Sequence, residues 1–376
     1  MSKNTIHQIS IVFVIFCLAS TIFTPIQADD SNESQTMIQT VFLEDFTIVT
    51  SEDGDEIQVD NFGKLLVEGK PLLPSKIVSY ALPPHSKVLD INVKIDAIKT
   101  FPRPVEIVPC PTPLVIDGDN DENNSIFKTN YNDVYQRNDP YPANIIEFMG
   151  RSQYRKYELI DIRVNPFTYY PISKQLDYYP KITIQIEYEL TEKTDIVVDN
   201  LKRTEQTAAQ LIENYQQAQQ WYPQTIQNNK GQYSYVIITL DSLTSSVTPL
   251  VNWEISKGET VNVTTTSWIY LNYAGYDNGE KIRNFLRDKY PSSEWGIENV
   301  LLVGSYSDVP IRFTAQPAET DYYYAELSLP DSQSWDNDGD HQYGESSDPI
   351  DFYAEVNVGR IPLVALQQCM ISVINQ

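Results

Sequence analysis

From Thr36 to about Leu190, apolar and polar positions come in short alternating runs. The segments VFLEDFTIV, KIVSYALP, KVLDINVKI, YELIDIRVNPFTYYP and KITIQIEYEL are rich in β-branched and aromatic residues. Several repeat with period two, and Pro or Asp/Asn clusters separate them. No helical stripe of normal length interrupts the series. The pattern predicts an all-β, sandwich-like domain over residues 36–195. Within it, Asp117 to Asn144 is polar and rich in Asn, Asp and Pro, and reads as a long surface loop.

The pattern changes over residues 196–232. LKRTEQTAAQLIENYQQAQQWY is polar and rich in Gln and Ala, with Leu201, Leu211, Ile212 and Tyr215 at roughly helical spacing. It predicts one amphipathic helix, followed by an exposed linker from Pro223 to Gln232. From Tyr235 onward strands and helices alternate. YVIITL is a continuous apolar run of the kind buried on both faces of a parallel sheet. SSVTPLVNWEISKG places Val247, Leu250, Val251 and Ile255 on a helical stripe and stops at Gly258, a good C-terminal cap. TVNVTTT is a second strand, NGEKIRNFLRDKY a second helix with Ile282, Phe285 and Leu286 on one face, and NVLLVG a third strand ending in Gly304. Residues 233–376 are therefore expected to form an α/β domain with a mainly parallel sheet, whose ligands would gather at the strands' carboxyl edge.

The amino terminus bears on compartment. Ile9 to Ile26 is almost wholly apolar, and Ala28 precedes Asp29, Asp30 and Ser31. This is a secretory signal pattern over residues 1–28, with cleavage after Ala28 and a secreted or cell-surface product. The run also approaches the length of a membrane anchor. No later segment is apolar enough to span a bilayer, so stable membrane insertion is not expected. The formal charge of −24 repels nucleic acid and anionic lipid and attracts cations. After the signal only Cys110 and Cys369 remain, which excludes a disulfide scaffold.

The stretch SWDNDGDHQYGESSDPIDFYAEVNVGR, residues 334–360, concentrates carboxylates in a loop. Asp336, Asp338 and Asp340 alternate there, with Gly339 and Gly344 permitting tight turns. Alternate carboxylates can converge on one hard cation, as in the first half of an EF-hand loop. The spacing departs from that motif, because Gly339 falls two positions early and Ser347 stands where a bidentate Glu belongs. Glu345 comes two residues sooner. A compact Ca²⁺ loop of another geometry, formed by Asp336, Asp338, Asp340 and Glu345, is the expectation; a solvated acidic turn is the alternative. Zn²⁺ is disfavoured, since one His and no thiol lie nearby.

Several segments resemble the gingipain-type cysteine peptidases. GKPLLPSKIVSYALPPHSKV, from Gly69 to Val88, and NPFTYYPISKQLDYYPKITIQIEY are similar to that family's propeptide. YVIIT, PLVNWEISKGETVNV, IRNFLRDKY, NVLLVGSYSDVPI, TDYYYAEL and VNVGRIP then follow the order of its peptidase domain. The resemblance implies a secreted zymogen in which a β-rich propeptide packs on a caspase-like α/β domain that cleaves protein or peptide substrates. It also implies a catalytic His in a His-Gly motif and a Cys beyond it, both downstream of Gly359, Arg360 and Pro362. No His-Gly dipeptide occurs in the sequence. Cys110, Cys369, His85 and His341 do not offer a substitute pair, both cysteines reading as buried structural thiols and His85 as a water-facing residue. The chain is thus expected to be an incomplete, inert N-terminal portion of the enzyme; a non-catalytic, calcium-stabilised binding protein on the same scaffold is the alternative.

The resemblance further implies a second calcium site. Asp351, Tyr353 and Glu355 match calcium-binding positions of the family, Tyr353 through its backbone carbonyl, Asp348 matches another backbone-carbonyl ligand, and Ser305 replaces the remaining Asp. Asp308 is a candidate to compensate. Asp321 also matches a family Asp, suited either to metal binding or to holding a loop. Tyr322 to Tyr324 are expected to lie along a strand with alternate rings facing in and out.

Overall fold

The computed structural model describes residues 34–43, 45–111, 133–191, 199, 201–222, 232–315, 318–328, 334–348, 350 and 352–362. The signal segment, most of the expected 117–144 loop, the linker proper, Asp351 and Cys369 lie outside them. Among the described residues, no helix is long and apolar enough to cross a membrane.

The period-two runs become antiparallel strands. They are β1 (Gln35–Phe42), β2 (Pro74–Ala81), β3 (Ser86–Ile95), β4 (Ile146–Tyr154), β5 (Tyr157–Val164) and β6 (Lys181–Leu190). One sheet has the order β1-β6-β3; a second joins a short strand at Gly63–Lys64 to β2, β5 and β4. Their inner faces meet in one cluster holding Met37, Val78, Tyr80, Ile160, Ile162, Val164, Ile182, Ile184 and Ile186. The even spacing of these residues puts each on the covered side of its strand. Each such side chain, fully buried, contributes about 1.5–3 kcal/mol. A smaller sheet of Phe167–Tyr170, Gln175–Tyr178 and Lys99–Thr100 packs its own core around Ile57, Phe167 and Leu176.

The Gln-rich segment corrects one expectation. It forms two short helices, α1 (Lys202–Leu211) and α2 (Tyr215–Trp221), rather than one. The break is imposed by the β-sheet beside it. Asn214 Nδ2 donates to the Ala81 carbonyl at 2.9 Å, and its Oδ1 accepts from the Ala81 amide at 2.8 Å. Glu213 N also donates to Ser79 O at 3.0 Å. The chain thus leaves the helix for one turn to satisfy the exposed edge of β2, which continued helix could not do.

Beyond residue 232 the main sheet is parallel, with β7 (Tyr235–Thr239), β8 (Val261–Thr265), β9 (Asn299–Val303) and β10 (Asn357–Ile361) in the order β8-β7-β9-β10, and a small separate antiparallel pair joins Arg312–Phe313 to Glu319–Thr320. α3 (Thr248–Ser256) and α5 (Asn278–Lys289) follow β7 and β8. Alternate strand residues serve the two faces. Val236, Ile238, Val300 and Leu302 pack with Ile282, Phe285 and Leu286 of α5, whereas Ile237, Leu301 and Val303 pack with Val247, Leu250 and Val251. This is the caspase-like α/β architecture expected, following an antiparallel β-rich half.

Two local features differ from expectation. A helix at Thr266–Asn272, α4, directly follows the second strand in a stretch to which the sequence pattern assigned no element, with Thr265 capping it by accepting from Trp268 N. Tyr322–Tyr324 form a 3-10 turn instead of a strand. There the Tyr323 carbonyl turns to the guanidinium of Arg283, whose Nη1 donates to it at 2.6 Å.

Candidate metal site and its surroundings

The loop after the 3-10 turn is held at its root by a buried carboxylate. Glu326 is fully buried and accepts from Arg283 Nη2 at 2.9 Å, Ser334 Oγ at 2.9 Å, Trp335 Nε1 at 2.7 Å and Ser328 N at 3.0 Å. Arg283 Nη1 also donates to the Glu326 carbonyl. Four donors and one opposite charge compensate the desolvation of this carboxylate. They also fix Ser334 and Trp335, the first residues of the acidic loop. Arg312 braces the loop from another side. Its guanidinium pairs with both oxygens of Asp277, at 2.7 and 2.9 Å, and lies 3.7 Å from the Tyr343 ring centroid. A Cβ on Gly279 would meet Arg312 Nη2 at 2.8 Å, so a larger residue in α5 there would displace the guanidinium from Asp277.

In the loop itself, one carboxylate oxygen from each of Asp336, Asp338 and Asp340 lies within 4.8 Å of the others. Oxygens sharing a Ca²⁺ ion at about 2.4 Å can stand at most about 4.8 Å apart, so the spacing suits a hard cation. Asp336 is buried, and Asp338 and Asp340 are exposed. Asp336 accepts from His341 N at 3.1 Å and meets His341 Nδ1 at 3.0 Å; the His341 ring stacks on Tyr276 at 3.5 Å. Asp340 accepts from Gln342 N at 2.8 Å. The donor set, all carboxylate with one imidazole turned to a carboxylate, fits an oxygen-seeking divalent ion and not zinc.

The side chains of the other expected ligands make contacts of their own. Asp348 closes the loop, its carboxylate accepting from Asn337 N at 2.7 Å, Gly344 N at 2.8 Å and Glu345 N at 3.1 Å. Glu345 does not join the three aspartates and accepts from Ser347 Oγ. Tyr353 reaches into the β-rich half, where its hydroxyl meets Ser79 Oγ at 2.5 Å and donates to Asp161 Oδ1 at 2.9 Å. Glu355 is buried; its Oε2 accepts from Leu327 N at 2.6 Å, and its carbonyl accepts from Arg155 Nη1 at 2.5 Å. Ser305 has Asp308 as its neighbour, both its amide and its hydroxyl donating to Asp308 Oδ2, at 2.8 and 2.6 Å. The turn is tight enough that a Cβ on Gly304, whose φ is +147°, would meet Asp308 Cβ at 2.8 Å. Asp321 is paired with Arg360 and thus holds a loop.

Of the candidate thiols and imidazoles, Cys110 is buried, with burial pushing its thiol pKa up, and its Sγ lies 3.7 Å from the Pro111 carbonyl. His85 is half-buried rather than facing water. Glu326, Arg283 and Arg312 were not singled out from the sequence. The signal was available for Glu326, a single charge within the otherwise apolar run YYYAELSL.

Taken together, an antiparallel β-rich half precedes a parallel α/β half that carries an acidic loop, the layout of a proenzyme with a caspase-like domain. The chain matches the profile for the C25 propeptide over residues 26–220, more than half its length, and that for peptidase family C25 over residues 228–374. It belongs to the C25, gingipain-type, cysteine peptidase family. No curated protein matches it. Among solved structures it is similar to the complex of Porphyromonas gingivalis RgpB pro- and mature domains. That likeness has 17% identity and a TM-score of 0.37, covering 50% of this chain and 95% of that one. A gingipain K structure from Porphyromonas gingivalis, concerned with zymogenic latency, is similar at 15% identity and TM-score 0.33, over 44% and 97% of the two chains. For the Arg-specific cysteine proteinase gingipain R the values are 18% and 0.28, over 39% of this chain and 28% of that one.

Proposed function

We propose that this chain is the N-terminal portion of a secreted gingipain-type cysteine endopeptidase zymogen. In this reading, residues 1–28 are a signal peptide and residues 36–195 the propeptide. Residues 196–232 are the helical connection and linker, and residues 233–376 the first part of the peptidase domain. Proteolysis of protein or peptide substrates belongs to a longer form that carries the His/Cys pair. The observation that carries the reading is the match of both family profiles in the zymogen order, propeptide before peptidase. The hydrogen bonds of Tyr353 to Ser79 and Asp161 support packing of the propeptide on the peptidase part.

The acidic loop is proposed to bind Ca²⁺ through Asp336, Asp338 and Asp340, neutralising carboxylates that otherwise repel one another. The ion would supply structural rigidity to residues 334–348, and no chemical step is assigned to it.

The test is to extend the reading frame beyond codon 376 and assay both products on peptides ending in Arg, Lys or Asp. The 376-residue chain should give no thiol-dependent turnover. The longer product should give it only with an encoded His-Gly and a following Cys. Turnover by the short chain that disappears in Cys369→Ala would overturn the reading. A longer gene product without the pair would favour a calcium-stabilised binding protein.

A further inference from the structure

The turn between β4 and β5 is Tyr154-Arg155-Lys156-Tyr157, and Arg155 has a φ of +53°. That left-handed conformation favours glycine, and a two-residue hairpin turn chosen for its backbone alone would carry it. Arg155 is present instead, and its side chain is only 2% exposed. A buried guanidinium destabilises the fold unless charge and hydrogen bonds compensate it. Here the counter-charge comes from Asp199, in the segment before the linker, and the other acceptors from beyond residue 232. Nε donates to the Asp199 carboxylate; Nη1 donates to the carbonyls of Glu355 at 2.5 Å and Ile297 at 3.3 Å; Nη2 donates to the Tyr290 carbonyl at 3.0 Å. The guanidinium also lies 5.2 Å from the centroid of the Tyr290 ring.

These acceptors share a location. Ile297 and Glu355 each stand two residues before a parallel strand, β9 and β10, and Tyr290 caps the C-terminus of α5. All three mark the amino edge of the parallel sheet, opposite the carboxyl edge where such sheets bind ligands. The Tyr290 carbonyl is an unsatisfied helix-end acceptor at the negative end of the α5 dipole, which suits a cation. Asp199 is itself anchored, accepting from Leu201 N at 3.0 Å and Thr204 Oγ1 at 3.2 Å.

We propose that Arg155 is the docking residue that fastens the β-rich half to the amino edge of the parallel sheet, and that it keeps the two halves associated after the chain is cut between them. It acts as a retention device placed away from the carboxyl edge, separate from any blocking of substrate there. The proposal rests on the propeptide-peptidase reading for its biological sense, since a cleaved propeptide that stays bound must be removed in a second step.

The test uses the whole chain with a site-specific protease sequence replacing residues 226–229, cut and then examined by gel filtration and by dilution-dependent dissociation. The wild-type halves should co-elute. In Arg155→Gly the turn gains its unstrained residue yet the halves should separate, with affinity weakened on the order of 100-fold or more. Arg155→Lys, which keeps charge without the planar fork, should fall between. Asp199→Asn, on the same side of the cut as Arg155, removes the carboxylate that holds the guanidinium in place and should also weaken retention. Cut Arg155→Gly and Asp199→Asn halves that stay together with wild-type affinity would overturn the role of Arg155. Wild-type halves that part on cutting would overturn retention itself. Neither result touches the zymogen reading, which stands or falls on the residues encoded beyond position 376.

Discussion

Arg360 and Asp321 form a two-pronged ion pair at the carboxyl edge of the parallel sheet, Nε and Nη2 each donating to one carboxylate oxygen at 2.7 Å. Arg360 Nη1 also donates to the Val309 carbonyl at 2.7 Å. The pair therefore ties β10 to the loops that follow β9. Asp321 had two sequence-level roles open to it, metal ligand or loop support, and its geometry is that of support. Asp321→Asn should destabilise the chain by about 2–3 kcal/mol in urea unfolding, because it leaves a largely buried guanidinium without its counter-charge. Ca²⁺ affinity, measured by calorimetry, should stay unchanged; a marked fall would restore Asp321 as a ligand.

A second expectation concerns acid. Burial pushes the Glu326 carboxyl up, but the Arg283 charge and hydrogen bonds from Ser328 and Arg283 outweigh it and hold its pKa below the usual carboxylate value. A carboxyl depressed in the folded state contributes stability above its unfolded pKa and loses it as pH falls through the folded value. Stability should therefore be level above about pH 5 and decline below about pH 4. Glu326→Gln should flatten that acid limb while lowering neutral-pH stability by about 3 kcal/mol, since Arg283 remains buried. An unchanged acid limb in the variant would exclude Glu326 as its source.

The break between α1 and α2 gives a third. Asn214 satisfies both polar groups of Ala81 at the edge of β2. Asn214→Ala should cost about 1–3 kcal/mol by leaving a buried amide and carbonyl unpaired. Asn214→Leu, a better helix former, should be no better tolerated. Restored stability in the Leu variant would mean that the two helices are free to fuse.

Much of the architecture was legible because it rests on periodicity. Ile182, Ile184 and Ile186 announce a half-buried strand, and Ile282, Phe285 and Leu286 a helix face, whatever lies around them. The features that were not legible depend on partners distant in sequence. Asn214 breaks a helix only because Ala81 is beside it, and Tyr323 turns only because Arg283 takes its carbonyl. In the acidic loop, alternation brought out Asp336, Asp338 and Asp340, which do converge. It gave no hint that Asp348 would accept three backbone amides or that Tyr353 would lie against the β-rich half. Those roles are set by the path of the loop and not by its composition.

Calcium supplies the last prediction. A cation that binds only the folded loop stabilises it by mass action, about 2.7 kcal/mol at a hundredfold excess over Kd. Adding Ca²⁺ should raise the melting temperature and slow hydrogen exchange over residues 334–348. Asp338→Ala removes an exposed carboxylate that the fold does not otherwise use heavily, so it should erase the Ca²⁺ response and leave metal-free stability within about 0.5 kcal/mol. Glu355→Ala should behave in the opposite way. Its carboxylate accepts from Leu327 N and Arg155 N, so metal-free stability should fall while the Ca²⁺ response persists. A Ca²⁺ response that weakens in Glu355→Ala as well would establish a second site of Asp351, Tyr353 and Glu355. No calorimetric uptake at millimolar Ca²⁺ by the folded chain would reduce the three aspartates to a solvated acidic turn.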